Sequence, residues 1–81
     1  MATITEKVLD HLEVITGTDE VRKNLDIDLF GEKILDSFGT VELIVALSDG
    51  FGIELSPGQV DRESWATPRK IIADVEKRLR Q

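Results

Sequence analysis

Ile34-Leu35-Asp36-Ser37-Phe38-Gly39-Thr40-Val41-Glu42-Leu43 is where a long polar stretch ends and the most hydrophobic helical pattern of the chain begins. Asp36 suits the N-cap of that helix, because its carboxylate can accept from free backbone N–H groups of the first turn and lies at the positive end of the helix dipole. Ser37 is then the first helical residue and faces solvent. An Asp-Ser pair alone is ordinary capping chemistry, so its meaning depends on the helix it introduces. At about 100° per residue, Leu43, Ile44, Leu47 and Phe51 share one stripe, assigned to the core, while Phe38, Val41 and Val45 form a second stripe beside Ser37. Glu42 and Asp49 fall just beyond it. Two readings of the second stripe stand side by side: a helix wrapped on all faces is apolar all round, whereas a patch with an apolar centre and an acidic rim has the make-up of a docking surface.

The remainder of the chain reads as helices and one long connection. Thr3-x-x-Glu6 has the form of a capping box, and Ile4, Val8, Leu12 and Ile15 recur at helical spacing, so the first helix is predicted from about Ile4 to Thr16 with Gly17 closing it. From Gly17 to Leu35 the periodicity lapses. Residues 18–24 can hold a single turn, and Leu25-Asp26-Ile27-Asp28-Leu29 alternates as a strand would, yet no second strand exists to pair with it. The segment is therefore an extended loop, with Val21, Leu25, Ile27, Leu29 and Phe30 as apolar pegs into a helical core. The second helix runs from Ser37 to about Gly50, closed by Gly50 or Gly52. A short third helix is predicted within Pro57 to Ser64, from a cap residue followed by Pro and Gln. Trp65 reads as a core anchor, given the apolar area it can bury. Thr67-Pro68 opens a fourth, amphipathic helix carrying Ile71, Ile72, Val75 and Leu79, with Arg69, Lys70, Lys77, Arg78 and Arg80 on or beside its exposed side.

Composition narrows the function. Eighty-one residues make one domain, expected to span 1–81, with no room for a catalytic cleft between lobes. A core of this size supplies about 3–5 kcal/mol. There is no cysteine, so any thiol chemistry must use an imported sulfur, and thiolate metal sites and cysteine nucleophiles are excluded. A single histidine, His11, argues against a metal site, and the Asp26-x-Asp28 pair of the loop lacks the terminal glutamate of a calcium loop. Sixteen acidic against ten basic residues, a net charge of −6, disfavour nucleic acid and point to a basic partner surface, although solubility alone would account for the charge. The N-terminus lacks the layout of a signal peptide and no apolar run approaches the roughly 20 residues of a membrane span, so a soluble, cytoplasmic monomer is expected. No His, Lys or Cys lies between Ile34 and Val45, which leaves Ser37 without a local base and argues against a hydrolase-type nucleophile or any stand-alone enzyme.

A helix-leading Asp-Ser in a small acidic helical chain resembles the carrier-protein superfamily. The decapeptide of residues 34–43, together with Asp61-Arg62-x-x-Trp65-x-Thr67-Pro68-x-x-Ile71, resembles more narrowly the D-alanyl carrier proteins of Gram-positive bacteria, and the similarity covers the whole chain. The general carrier pattern has Gly two residues before the Asp and Leu or Ile after the Ser; this chain has Ile34 and Phe38 there. The resemblance implies an all-α, acyl-carrier-protein-like four-helix bundle, with three main helices, a short third one and a long loop between the first two. It implies 4′-phosphopantetheine, taken from coenzyme A by a phosphopantetheinyl transferase, on Ser37. It further implies a D-alanine–carrier protein ligase and a membrane-bound O-acyltransferase as partners, with D-alanine carried as a thioester toward lipoteichoic and wall teichoic acids. From helix geometry, Asp36, Phe38, Val41, Glu42 and Val45 are the candidates for partner contact. The alternatives are a free-standing carrier for another acyl or aminoacyl group, and a small acidic interaction module in which Ser37 merely caps a helix.

Overall fold

The computed structural model describes residues 3–56, 58, 60 and 63–80. Four helices and no strand occur among them: α1 (Ile4–Thr16), α2 (Glu20–Lys23), α3 (Ser37–Phe51) and α4 (Pro68–Leu79). The predicted second helix is thus α3, because the single turn anticipated in the connection forms as α2. The short helix expected within Pro57 to Ser64 falls largely outside the described residues. All three long helices start on the caps their sequences offer. Thr3 Oγ1 accepts from Glu6 N, Asp36 Oδ1 from Gly39 N and Thr67 Oγ1 from Lys70 N. Each bond satisfies a first-turn N–H that has no intrahelical acceptor. At the other ends, Gly17 and Gly52 take the left-handed conformation, φ 74° and 66°, which glycine adopts without a Cβ penalty. The second helix accordingly runs one residue past Gly50, to Phe51.

α1 is the central helix and packs against α2, α3 and α4. Its Val8, Leu9 and Leu12 join Leu43, Ile44 and Leu47 of α3 and Ile71, Ile72 and Val75 of α4 in the core. Trp65 is completely buried among them, as its size predicts. Its indole Nε1 still finds an acceptor, donating at 2.9 Å to Asp74 Oδ2, which also accepts from Arg78 Nε at 3.0 Å. A buried indole N–H left unpaired would cost about 1–3 kcal/mol, so Asp74 makes this burial tolerable.

The long connection is held as the pegs require. Val21 and Leu29 are fully buried, and Leu25, Ile27 and Phe30 pack partly buried against the core. Backbone bonds complete the attachment: Leu29 N donates to Ala66 O at 2.8 Å and Arg69 N to Leu25 O at 3.0 Å. The alternating segment thus finds partners in the chain leading into α4 instead of in a second strand. Charge pairs reinforce both ends. Arg22 of α2 donates to Glu13 and Asp10 on the polar face of α1, and Arg69 Nε donates to Asp26 Oδ1 at 2.8 Å.

The hydrogen bond from Arg69, helped by its charge and opposed by partial desolvation, holds the Asp26 carboxyl below its ordinary value. A depressed carboxylate pKa favours folding above the unfolded value of about 3.9, and that contribution disappears as the pH falls through the lowered folded value. Asp26→Asn should therefore melt slightly below wild type at pH 7, with the difference closing as thermal melts are taken into acid below that range. Trp65→Ala should cost about 3–5 kcal/mol, enough to leave the domain largely unfolded by circular dichroism at room temperature.

Candidate functional site

The approach to α3 is built from the inside outward. Lys33 takes the left-handed conformation, φ 59°, and turns the chain so that Ile34 N and Leu35 N both donate to Leu29 O, each at 2.9 Å. Leu35 is then driven into the core, at 3% exposure, while Asp36, Ser37 and Phe38 emerge at the surface. Gly39 is buried again. This in-out-in order places a hydroxyl on the rim of the molecule within a few residues of two anchors.

The N-terminus of α3 adds polarity of one sign. Asp36 Oδ1 takes the Gly39 N–H at 2.7 Å, and Asp36 O takes Thr40 N at 2.9 Å and Thr40 Oγ1 at 2.8 Å. The N–H groups of Ser37 and Phe38 have no intrahelical acceptor, so the positive end of the helix lies beside the Ser37 hydroxyl. No Lys or His occurs in α3, so the helix itself offers no nitrogen base to that hydroxyl.

The second stripe of the helix is exposed. Phe38 is 74%, Val45 57% and Val41 47% accessible, whereas Leu43, Ile44 and Leu47 are buried. Glu42 and Asp49 are exposed as well. Of the two readings of this stripe, the wrapped core is the one the structure rejects: among the described residues, the long helix packed closely on α3 is α1, and it covers one side. The site residues expected from sequence, Asp36, Ser37, Phe38, Val41, Glu42 and Val45, thus come together on one outward surface. His11 lies elsewhere: it is half-buried, with Nε2 packed toward Gly50 near the far end of α3. Sequence reasoning missed the Leu29 carbonyl, because main-chain acceptance leaves no mark on residue type.

An exposed serine at a helix start, flanked by an apolar and acidic surface and given no lysine or histidine by its own helix, is the arrangement of a carrier, whose chemistry is performed by other proteins. Residues 6–75 match the family described as phosphopantetheine attachment site. Among curated proteins, the chain is 49% identical over 73 residues to the D-alanyl carrier protein of Lacticaseibacillus rhamnosus, covering 90% of each. It is 52% identical over 73 residues to that of Enterococcus faecalis, covering 90% of this chain and 94% of the relative. For Bacillus cereus the figures are 46% over 76 residues, 94% and 96%. The chain belongs to the D-alanyl carrier protein family.

As a member of that family it is a non-catalytic carrier that works with partner enzymes, and its covalent prosthetic group is 4′-phosphopantetheine. The residues present fit such a group: the Ser37 side chain is open to solvent, so a long arm meets no obstruction there, and the first-turn N–H groups favour a phosphodiester anion. Among the described residues, no helix is long and apolar enough to cross a membrane and no cluster of potential metal ligands occurs.

Since Val41 and Val45 are largely solvated, Val41→Asp or Val45→Asp should change stability by no more than about 0.5 kcal/mol. Thermal melts and helical circular dichroism close to wild type are the expected result.

Proposed function

We propose that this chain is a cytoplasmic carrier domain, spanning 1–81, which bears 4′-phosphopantetheine on Ser37 and carries D-alanine for the D-alanylation of teichoic acids. The observation that supports this most directly is the position of Ser37, exposed at the first residue of α3 within Ile34-Leu35-Asp36-Ser37 and beside the solvent-facing Phe38, Val41 and Val45. The similarity to D-alanyl carrier proteins over nine-tenths of the chain supports the cargo.

Priming is a transfer between two oxygens on phosphorus. Ser37 Oγ attacks the phosphorus of coenzyme A that bears pantetheine, and a new Oγ–P bond forms. The P–O bond of the pyrophosphate breaks, adenosine 3′,5′-bisphosphate leaves with the electron pair, and the serine proton passes to a base of the transferase. This chain's share is positional: α3 holds the hydroxyl outward, the Ser37 and Phe38 N–H groups stabilise the negative charge of the ester, and α3 carries no lysine or histidine to take the proton. When bound, the prosthetic group supplies the thiol that this cysteine-free chain lacks, and with it a thioester linkage for the cargo.

The partners are set by that chemistry. A phosphopantetheinyl transferase must prime Ser37, a D-alanine–carrier protein ligase must load it, and a membrane-bound O-acyltransferase must receive the cargo. All three meet the same outward side of α3. Phe38, Val41 and Val45 supply the apolar centre of the contact, and Glu42 and Asp36 supply an acidic rim suited to basic partner residues.

Incubation with coenzyme A and a phosphopantetheinyl transferase should add one phosphopantetheine to the intact mass, and Ser37→Ala should abolish the addition. Gain of that mass by Ser37→Ala would refute the site. The holo protein should then accept D-alanine from the ligase, and preference for another aminoacyl or acyl group would refute the cargo. Val45→Asp should raise the KM of loading about tenfold or more with kcat little changed, as loss of a docking contact does.

A further inference from the structure

We propose that Gly39 is a positioning residue for modification of Ser37: its missing side chain is the space into which the loop before α3 and the last turn of α1 close. The inference rests on Ser37 as the attachment residue. Gly39 is helical, and its φ is not among the positive ones, so backbone conformation does not call for glycine here. Space does. A Cβ at this position would stand 3.0 Å from Leu35 Cδ1, 3.3 Å from Asp36 Oδ1 and 3.5 Å from Ile15 Cγ2.

None of these neighbours can move away at no cost. Leu35 is a 3% exposed core residue, so its side chain has nowhere to retreat. Asp36 Oδ1 is held at 2.7 Å by the Gly39 N–H itself, and pushing it off uncaps α3. Ile15 Cγ2, at 3.5 Å, would be in ordinary contact and bars the third side, since Ile15 of α1 packs against the core. A methyl group at residue 39 would therefore press Leu35 and Asp36 away from the helix start by a few tenths of an ångström and shift the turn that carries Ser37. Asp36 and Phe38 lie in that turn and shift with Ser37, whereas Val41 and Val45, further along α3, keep their place in the docking stripe.

Helix propensity runs the other way, which makes the residue choice informative. Alanine is favoured over glycine inside a helix by about 0.5–1 kcal/mol, so the chain forgoes local stability to keep this contact open. Gly50 of the same helix is the natural control. A Cβ there meets only the end of the His11 ring, Nε2 at 3.2 Å, at the opposite end of α3.

The test is steady-state priming with coenzyme A and a phosphopantetheinyl transferase, on folded protein well below its melting temperature, for wild type, Gly39→Ala, Gly50→Ala and Gly39→Ala combined with Leu35→Val. Gly39→Ala should lower kcat about tenfold or more with a smaller rise in KM, because Val41 and Val45 still dock while the hydroxyl is misplaced. Gly50→Ala should prime at the wild-type kcat. Leu35→Val removes the atom in closest conflict, so the double variant should recover part of the lost kcat. Wild-type kcat in Gly39→Ala would overturn the proposal. So would a loss that tracks the unfolded fraction, or one that Leu35→Val leaves unrelieved. Failure of wild type to be primed at Ser37 would instead defeat the attachment site, so the two outcomes are distinct.

Discussion

The 2.7 Å hydrogen bond from Gly39 N to Asp36 Oδ1 closes the start of α3, and the position of everything functional depends on it. A carrier has two conflicting needs at one point. The hydroxyl must protrude far enough for unrelated partner enzymes to reach it, and it must not wander. Capping serves both, since it fixes the first turn through a side chain that itself lies outside the core. Leu35, buried on one side of Asp36, and Gly39, buried two residues after Ser37, hold the protruding residues between two anchors. The rim is therefore held at both ends by buried residues, without any cover over the serine.

The anchors extend well beyond the decapeptide. Leu35 N and Ile34 N both donate to Leu29 O, and Leu29 N donates to Ala66 O, one residue after the buried Trp65. Trp65 is in turn tied to α4 through Asp74. A continuous run of contacts thus links the aromatic anchor near the last helix to the serine at the start of α3. The Trp-x-Thr-Pro run, which marks the family resemblance, is structural in this chain: Trp65 fills the core, Thr67 caps α4 and Pro68 occupies the first turn, where a missing N–H costs nothing. Its bearing on function is indirect, through the Ala66 carbonyl that receives the loop.

These layers were not equally legible in the residues. Thr3, Asp36, Thr67 and the terminal glycines Gly17 and Gly52 announce helix ends, because capping is a local matter between a side chain and the nearest main-chain groups. The pegs Val21 and Leu29 were visible as apolar residues in a polar stretch, and they are buried. The destination of the alternating segment was not visible. Its main-chain partners are Ala66 and Arg69, distant in sequence, and main-chain donors and acceptors have no residue signature. Exposure of Phe38, Val41 and Val45 was undecided for a related reason. Periodicity places residues on a face, but only the packing of α1 on one side of α3 determines which face stays bare. The cost of a Cβ at Gly39 was hidden as well, since it is set by where the buried Leu35 side chain comes to rest.

Charge is divided along the chain as function would require of a carrier rather than an enzyme. From Ile34 to Glu54 there are four acidic residues, Asp36, Glu42, Asp49 and Glu54, and no basic one, while Arg69, Lys70, Lys77, Arg78 and Arg80 cluster in and after α4. A lysine or histidine near Ser37 would supply a base, and a base beside the helix start would invite a reaction that this chain cannot control. It would also neutralise the surface that basic partners recognise. Keeping cations out of residues 34–54 serves both ends of the proposed function: Ser37 waits for a partner that brings its own base, and the acidic residues of that stretch attract such a partner. The neighbourhood also sets a limit on the phosphate ester. With no cation of its own at hand, α3 can offer that anion only main-chain N–H groups, so the geometry of the first turn, more than any charge, decides how firmly the root of the arm is held.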